Sequence, residues 1–204
     1  MYIPGYYKEE ELTRIKELIN SNGFGILINQ TEKRLWATHV PMLLEEDPDR
    51  GMTLIGHLSR ANKQWQEFKD NQDVLVIFQG PDAYISSSWY NHENVPTWNY
   101  QAVHLYGIAR MIGGDILKSK LSRLVDKYEQ GLNKPVSMDR MSDDFIENEM
   151  RGIIGFEVQI TEIEAVSKLS QNRDAENYNR ILKGLNEKGD EDSLRMARIM
   201  KDRK

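Results

Sequence analysis

The sequence predicts a mainly β protein of the α+β class, in which a closed antiparallel barrel carries several helices. Apolar and β-branched residues alternate with polar ones in a series of short segments, which is the pattern of half-buried strands. Segments with a period near 3.6 residues interrupt that series, so a barrel with attached helices is favoured over a doubly wound parallel sheet. The chain has 204 residues, 39% of them hydrophobic, and can bury a core unaided.

In the first half of the chain the pattern predicts two helices among five strands. The first helix spans residues 8–20, with Leu12, Ile15 and Ile19 on one face. A short helix covers residues 62–70, and a turn is expected at Gly80-Pro81-Asp82. The strands are predicted at residues 24–29, 35–44, 52–58, 74–79 and 83–87.

In the second half, helices again alternate with long strands. Leu117, Leu121, Leu124 and Tyr128 are spaced for one face of a helix over residues 115–130. Strands are predicted at residues 98–111 and 153–166, and a further helix at residues 143–150. The tail, residues 174–204, is predicted to be helical with a break at Lys188-Gly189-Asp190.

Composition excludes several classes of protein. The chain has no cysteine, so neither disulfides nor thiolate metal sites are expected, and its four histidines fall at no recognised metal-ligand spacing. A net charge of −5 argues against a protein that coats nucleic acid by bulk electrostatics. The sequence starts without a secretory signal, and its apolar runs are too short to cross a bilayer. We therefore expect a cytoplasmic protein without a membrane partner or a bound metal.

A polar, cationic turn follows the third predicted strand and opens the short helix. His57, Ser59, Arg60, Asn62 and Lys63 bring imidazole, hydroxyl, guanidinium, amide and ammonium groups to this turn. Free backbone N–H groups at the start of a helix favour a bound anion, so the turn is a candidate phosphate cradle. An ordinary helix cap, with Ser59 or Asn62 capping and the cations in water, explains the same residues.

Two further segments offer groups for a flat ligand. Pro41 interrupts the second strand, since proline is confined to edges or bulges in sheets, and so His39 is either re-aimed or half-buried. Trp98 and Asn99 belong to an aromatic stretch beside polar amides, which suits either the rim of a heteroaromatic ligand or the core. The segment 168–173 ends the last strand as a surface turn or as a second set of ligand contacts.

Six ordered blocks, covering nearly the whole chain, resemble the PaiB-like FMN-binding negative transcriptional regulators. The blocks are Ala37-Thr38-His39-Val40-Pro41, Gly56-His57-Leu58-Ser59-Arg60-Ala61-Asn62, Phe78-Gln79-Gly80-Pro81, Tyr84-Ile85-Ser86 with Trp89-Tyr90, Val95-Pro96-Thr97-Trp98-Asn99-Tyr100, and Lys168-Leu169-Ser170-Gln171-Asn172-Arg173.

The resemblance implies the FMN-binding split β-barrel, antiparallel and Greek-key-like, that pyridoxamine-phosphate oxidases share. It implies a homodimer with FMN at the subunit interface. The phosphate would be held by Thr38, Ser59, Arg60 and Lys63, and the ring bordered by Trp98 and Asn99. The other expected cofactor contacts are His39, His57, Asn62, Lys168, Gln171 and Arg173.

The function implied is that of a repressor affecting degradative-enzyme synthesis and sporulation, with residues 1–173 as the split-barrel domain. Residues 174–204 would be a helical extension, packed on its own subunit or swapped between subunits. The residues match no hydrolase, Walker-type or zinc-protease motif, so no catalytic group is identified.

Two other functions remain open from the residues. One is a flavin-dependent reductase or oxidase, with His57 or Arg173 as the first proton-transfer candidate, or a haem-handling protein with a histidine ligand. The other is direct DNA binding by the basic residues 195–204. The alternative interpretation of that segment is a terminal helix that packs on the protein through Leu194, Ile199 and Met200.

Overall fold

In the computed structural model, which describes residues 1–203 except the side chains of Lys69 and Asp70, the chain forms five α-helices and six strands. The helices are α1 (Leu12–Ser21), α2 (Gly114–Glu129), α3 (Asp143–Met150), α4 (Ala175–Lys188) and α5 (Glu191–Asp202). The strands are β1 (Phe24–Gln30), β2 (Leu35–Asp47), β3 (Gly51–Ser59), β4 (Gln72–Ile85), β5 (Thr97–Ile112) and β6 (Ile153–Lys168). A 3-10 helix, Lys63–Asp70, follows β3.

The six strands close into a barrel in the order β1-β2-β3-β6-β5-β4. The first part of β2 pairs antiparallel with β1, and from Met42 onward β2 pairs antiparallel with β3. β3 continues the sheet to β6, and the pairing of Ile26 on β1 with Ile77 on β4 closes it. The predicted mainly β barrel is confirmed. Among the described residues, no helix has both the length and the apolar character needed to cross a membrane.

Pro41 lies where β2 changes partners. It is the last β2 residue opposite β1, where it faces Phe24, and the ladder with β3 begins at the next residue. A residue without an N–H is tolerated here because one ladder ends and the other begins. His39, two residues earlier, is exposed, and its ring stacks on that of Phe24 with centroids 6.0 Å apart.

The chain divides into two compact units. We call residues 19–77 and 105–163 the barrel unit, and residues 1–18, 78–104 and 164–204 the terminal unit. The strands β4, β5 and β6 contribute residues to both. Helices α4 and α5 belong to the terminal unit, and the predicted domain boundary at residue 173 stays a prediction.

Each unit has an apolar core of its own. In the barrel unit Phe68, from the 3-10 helix, packs edge to face on Phe156 of β6, and both rings are fully buried. In the terminal unit α4 and α5 bury one face each against the other. The buried cluster there comprises Ala83, Ile85, Tyr90, Leu169, Tyr178, Ile181, Leu185, Met196, Ala197 and Met200.

Two predicted elements differ from the structure, both because of long-range contacts. Helix α1 begins at Leu12 rather than at residue 8, because the Glu9 amide donates to the Ala165 carbonyl at 2.9 Å. The turn predicted at residues 80–82 is wrong, since β4 runs through it without a break. A Cβ at Gly80 would lie 3.0 Å from Leu18 and 3.1 Å from Gln101, so this glycine permits a close approach of neighbouring elements.

Candidate functional site

The cationic turn between β3 and the 3-10 helix presents side chains rather than free amides. The Arg60 amide donates to the Gly152 carbonyl at 2.8 Å, and the Ala61 and Asn62 amides donate within the turn to Ser59. The expected cradle of free N–H groups is therefore wrong at these three positions. The side chains of Ser59, Arg60 and Lys63 are nonetheless exposed. An anion at this turn would be held by a hydroxyl, a guanidinium and an ammonium group.

Arg60 is bonded along one edge of its guanidinium. Its Nε donates to the Arg151 carbonyl at 2.6 Å and its Nη2 donates to the Ile153 carbonyl at 3.2 Å. These carbonyls follow α3, so the side chain joins the end of that helix to the turn. Its Nη1 donates to no described residue. Arg60 can thus serve as a fixed anchor and still offer one N–H edge to an anion.

A buried hydrogen-bond network holds the start of the 3-10 helix. The Gln64 carboxamide is fully buried and donates to Asn29 Oδ1 at 2.9 Å and to the Leu27 carbonyl at 3.2 Å. The Thr38 hydroxyl donates to Gln64 Oε1 and accepts a bond from Asn62 Nδ2 at 2.9 Å. Asn62 also caps the helix, as the alternative prediction had it, because its Oδ1 accepts the Gln64 amide at 3.1 Å.

This network gives Thr38 and Asn62 a positioning role. Both side chains are half-buried, and the bond between them ties the segment that carries Lys63 to β2. Gln64 was not predicted. In a 3-10 helix residues three apart share a face, so a polar residue four positions before the buried Phe68 carries no periodicity signal for burial.

His57 lies on β3 two residues before Ser59, so the two side chains share a face of the strand. The imidazole is half-buried, and its Nδ1 is buried with no hydrogen-bond partner among the described residues. Burial lowers the pKa of His57 below its ordinary 6.5, which keeps the ring neutral at neutral pH. An unsatisfied buried nitrogen beside an exposed cationic turn fits a polar ligand group that the chain itself does not supply.

The remaining predicted residues lie in the terminal unit. Trp98 is 52% exposed and packs edge to face on Tyr84, with ring centroids 5.8 Å apart. Asn99 is fully buried, and its Oδ1 accepts the Ser170 hydroxyl at 3.0 Å. Trp98 therefore offers surface to a planar ring, whereas Asn99 holds the turn after β6.

The three other predicted residues at the end of β6 and in the turn after it have partners of their own. Lys168 Nζ donates to Thr97 Oγ1 at 2.5 Å. Gln171 Nε2 donates to the Ser167 carbonyl at 2.7 Å and to the Tyr6 carbonyl at 3.1 Å. The Arg173 guanidinium lies over a tyrosine ring in the same unit. Their predicted role as flavin contacts stays a prediction.

The structure thus sorts the predicted residues into three groups. His57, Ser59, Arg60 and Lys63 share one stretch of the barrel unit, with Thr38 and Asn62 bonded to each other behind it. The His39 side chain is exposed and stacks on Phe24, and among the described residues no hydrogen bond or ring contact joins it to that stretch. Trp98, Asn99, Lys168, Gln171 and Arg173 belong to the terminal unit.

Solved flavoproteins share this fold. The structure of the FAD and heme binding protein from Mycobacterium smegmatis matches with a TM-score of 0.64 and 14% identity, over 85% of this chain and 78% of that chain. The flavocytochrome Anf3 from Azotobacter vinelandii matches with a TM-score of 0.59 and 19% identity, over 87% of this chain and 78% of that chain. Identities this low establish the fold alone, and the predicted split-barrel class is confirmed.

Sequence comparison is more specific. Residues 1–162 match a family described as "Putative FMN-binding domain". The chain is 41% identical to the Protease synthase and sporulation protein PAI 2 of Bacillus subtilis, over 100% of this chain and 98% of that protein. It is 34% identical to protein YKL070W of Saccharomyces cerevisiae, over 64% of this chain and 91% of that protein. The chain therefore belongs to the PaiB-like FMN-binding family, as its sequence blocks predicted.

Proposed function

We propose that this protein binds FMN and acts as a negative regulator of transcription that affects degradative-enzyme synthesis and sporulation. The observation that carries the FMN assignment is the exposed cationic turn of the barrel beside the unsatisfied imidazole of His57. The regulatory role is supported by the full-length similarity to the Bacillus subtilis protein, whose name refers to protease synthesis and sporulation.

In this proposal the barrel turn holds the phosphate of FMN. Lys63 contributes an ammonium group, Ser59 a hydroxyl and Arg60 the free edge of its guanidinium, all charge-assisted or polar donors suited to a dianion. Thr38 and Asn62 position this turn through the Gln64 network. His57, held neutral, donates to or accepts from a polar atom of the flavin. The bound flavin would supply electron and hydride transfer, which no side chain can provide.

We extend the proposal to a homodimer with flavin at the subunit interface. Trp98 and Tyr84 form an exposed aromatic pair on neighbouring strands of the terminal unit. Exposed aromatic surface of this kind suits a planar ring or a protein partner. Trp98 is accordingly our candidate neighbour of the isoalloxazine.

Helix α5 packs into the core of the terminal unit and is poorly suited to binding DNA phosphates through a row of basic side chains. Met196, Ala197 and Met200 are buried, and Arg203 pairs with the buried Glu9 at 2.8 Å. We therefore propose that repression does not depend on a basic C-terminal helix. A gel shift at low salt tests this, because a phosphate-based contact would appear there and weaken as salt rises.

The absorbance spectrum of the protein as purified, followed by FMN titration, tests the cofactor assignment. We expect flavin bands, or quenching of flavin fluorescence when FMN is added to colourless protein. A haem spectrum, or no quenching at any FMN concentration, would contradict the proposal. Turnover of a nicotinamide nucleotide by the flavin-loaded protein would move the function to the reductase alternative.

A further inference from the structure

A cavity of 330 Å³ lies wholly within the terminal unit. It is lined by Leu169, Gln171, Arg173, Ala175, Tyr178 and Arg203. All six residues follow residue 162, where the match to the FMN-binding family model ends. The volume is at the lower end of the range for small-molecule sites, and equals about eleven water molecules at roughly 30 Å³ each.

Two guanidinium groups give the cavity a positive character. No described carboxylate forms an ion pair with Arg173, whose guanidinium lies 5.0 Å from the ring centroid of Tyr90. Arg203 is paired with Glu9, which is buried, so one carboxylate compensates one of the two cations. The Arg173 charge is felt nearby, because it adds to burial in lowering the pKa of Lys168. An anion entering the cavity would meet uncompensated positive charge.

The turn that carries Arg173 is fixed and strained. Ser170 has a φ of 59°, in the left-handed region, and is 3% exposed. Its hydroxyl donates to Asn99, and its carbonyl accepts the Arg173 amide at 3.0 Å. A non-glycine residue persists in this region only where its surroundings hold it, and such strain clusters at ligand sites. Arg173 is thus presented from a preorganised backbone.

Apart from Gln171, whose carboxamide is bonded to backbone groups, the other lining residues are mainly apolar. Leu169 and Ala175 contribute aliphatic carbon, and Tyr178 contributes its ring, because its hydroxyl donates to the Met200 carbonyl at 2.5 Å. A lining that combines a guanidinium with an aromatic ring and aliphatic carbon suits a ligand with an acidic group on a small apolar body. Arginine matches the oxygens of a carboxylate and of a phosphate ester equally well.

We propose that this cavity is a second ligand site, distinct from the FMN site, that binds a small organic carboxylate or phosphate ester through Arg173. This assignment replaces the flavin contacts that the sequence predicts for Gln171 and Arg173. Arg203 provides the second cation, and the ring of Tyr178 packs on the apolar body of the ligand. On the order of ten non-hydrogen atoms fill the available volume.

Calorimetric titration of the full-length, FMN-loaded chain with three probes tests this assignment. Benzoate and phenyl phosphate carry the two candidate acidic groups, and benzamide is their neutral counterpart. We expect either anion to bind at least tenfold more tightly than benzamide, with the preferred acid identifying the ligand class. Equal binding of all three, or no binding of any, would overturn the proposal.

Variants locate the binding. Arg173→Gln should lower the affinity for the preferred anion at least tenfold. Arg180→Gln, on the exposed face of α4, should leave that affinity unchanged. Ala175→Leu should block the anion by filling the cavity while FMN affinity is unchanged, which also guards against misfolding of the arginine variant. Displacement of the anion by excess FMN, or loss of FMN binding in Ala175→Leu, would assign the cavity to the flavin and overturn the second site.

Discussion

At the scale of single residues, the fully buried Gln64 carboxamide ties the cationic turn to the barrel. It donates to Leu27 and Asn29, and accepts from Thr38. Leucine fills nearly the same volume but satisfies none of these groups. A buried donor or acceptor left without a partner costs about 1–3 kcal/mol.

We therefore expect Gln64→Leu to lower the free energy of unfolding by roughly 2–4 kcal/mol. Gln66→Leu is the matched control, because Gln66 is exposed on the same 3-10 helix and should change stability by less than about 0.5 kcal/mol. Urea denaturation of both variants measures the difference. Equal stability of the two variants would show that the network does not hold the turn.

His57 makes stability depend on pH. Its pKa is lowered by burial in the folded chain, so below about pH 6.5 the unfolded chain binds more protons than the folded one. Stability should therefore fall as pH drops below that value. Denaturation between about pH 7.5 and about pH 5 should show a shallower fall in His57→Gln. The burial of His104 lowers its pKa too and leaves a residual dependence in both proteins. Identical pH slopes would contradict this.

At the scale of elements, α4 packs on the short helical turn Ser87–Trp89 through Gly184. A Cβ built on this glycine would lie 2.3 Å from Trp89 Cδ2, within the ring itself. Helix propensity alone favours alanine over glycine by about 1 kcal/mol, but the overlap forces the indole ring or the helix to shift.

Gly184→Ala should therefore destabilise the protein by about 1–3 kcal/mol, despite the gain in helix propensity. In a Trp89→Ala background the same change should be neutral or stabilising, because the ring is gone. A double-mutant cycle of unfolding free energies measures this coupling. Additive effects would mean that the ring and the helix do not meet.

The elements themselves were largely predictable, because each depends on local spacing. Helices α2 to α5 and all six strands arise where periodicity predicted them, although β4 was predicted as two pieces. The errors involve distant partners. Neither the Glu9 amide on Ala165 nor the approach of Leu18 and Gln101 to Gly80 has a local signal.

The candidate site was predictable in residue type but not in bonding. The turn at residues 59–63 could be identified from its cations, yet the amide and one guanidinium edge of Arg60 are bonded to carbonyls about 90 positions later. Trp98 and Asn99 alternate along β5, and an aromatic residue is ordinarily the buried one. Here Asn99 is buried because Ser170 donates to it.

At the scale of the whole molecule, the proposal requires two chains for each pair of flavins. Light scattering of the flavin-loaded protein should give twice the chain mass of 23.8 kDa. Trp98→Ser, which removes exposed aromatic surface, should weaken dimer association or flavin binding. Tyr2→Ser, at an 88% exposed position, should change neither. A flavin-loaded protein of 23.8 kDa would contradict the interface site.

The account depends most on the phosphate of FMN lying at the cationic turn of the barrel. The direct measurement is the ratio of riboflavin to FMN dissociation constants, since riboflavin lacks only the phosphate. We predict that Lys63→Gln lowers this ratio about tenfold by weakening FMN alone, which corresponds to about 1.4 kcal/mol. The matched control Lys183→Gln, on the exposed face of α4, should leave the ratio unchanged. A wild-type ratio near one, or equal effects of the two variants, would contradict the account.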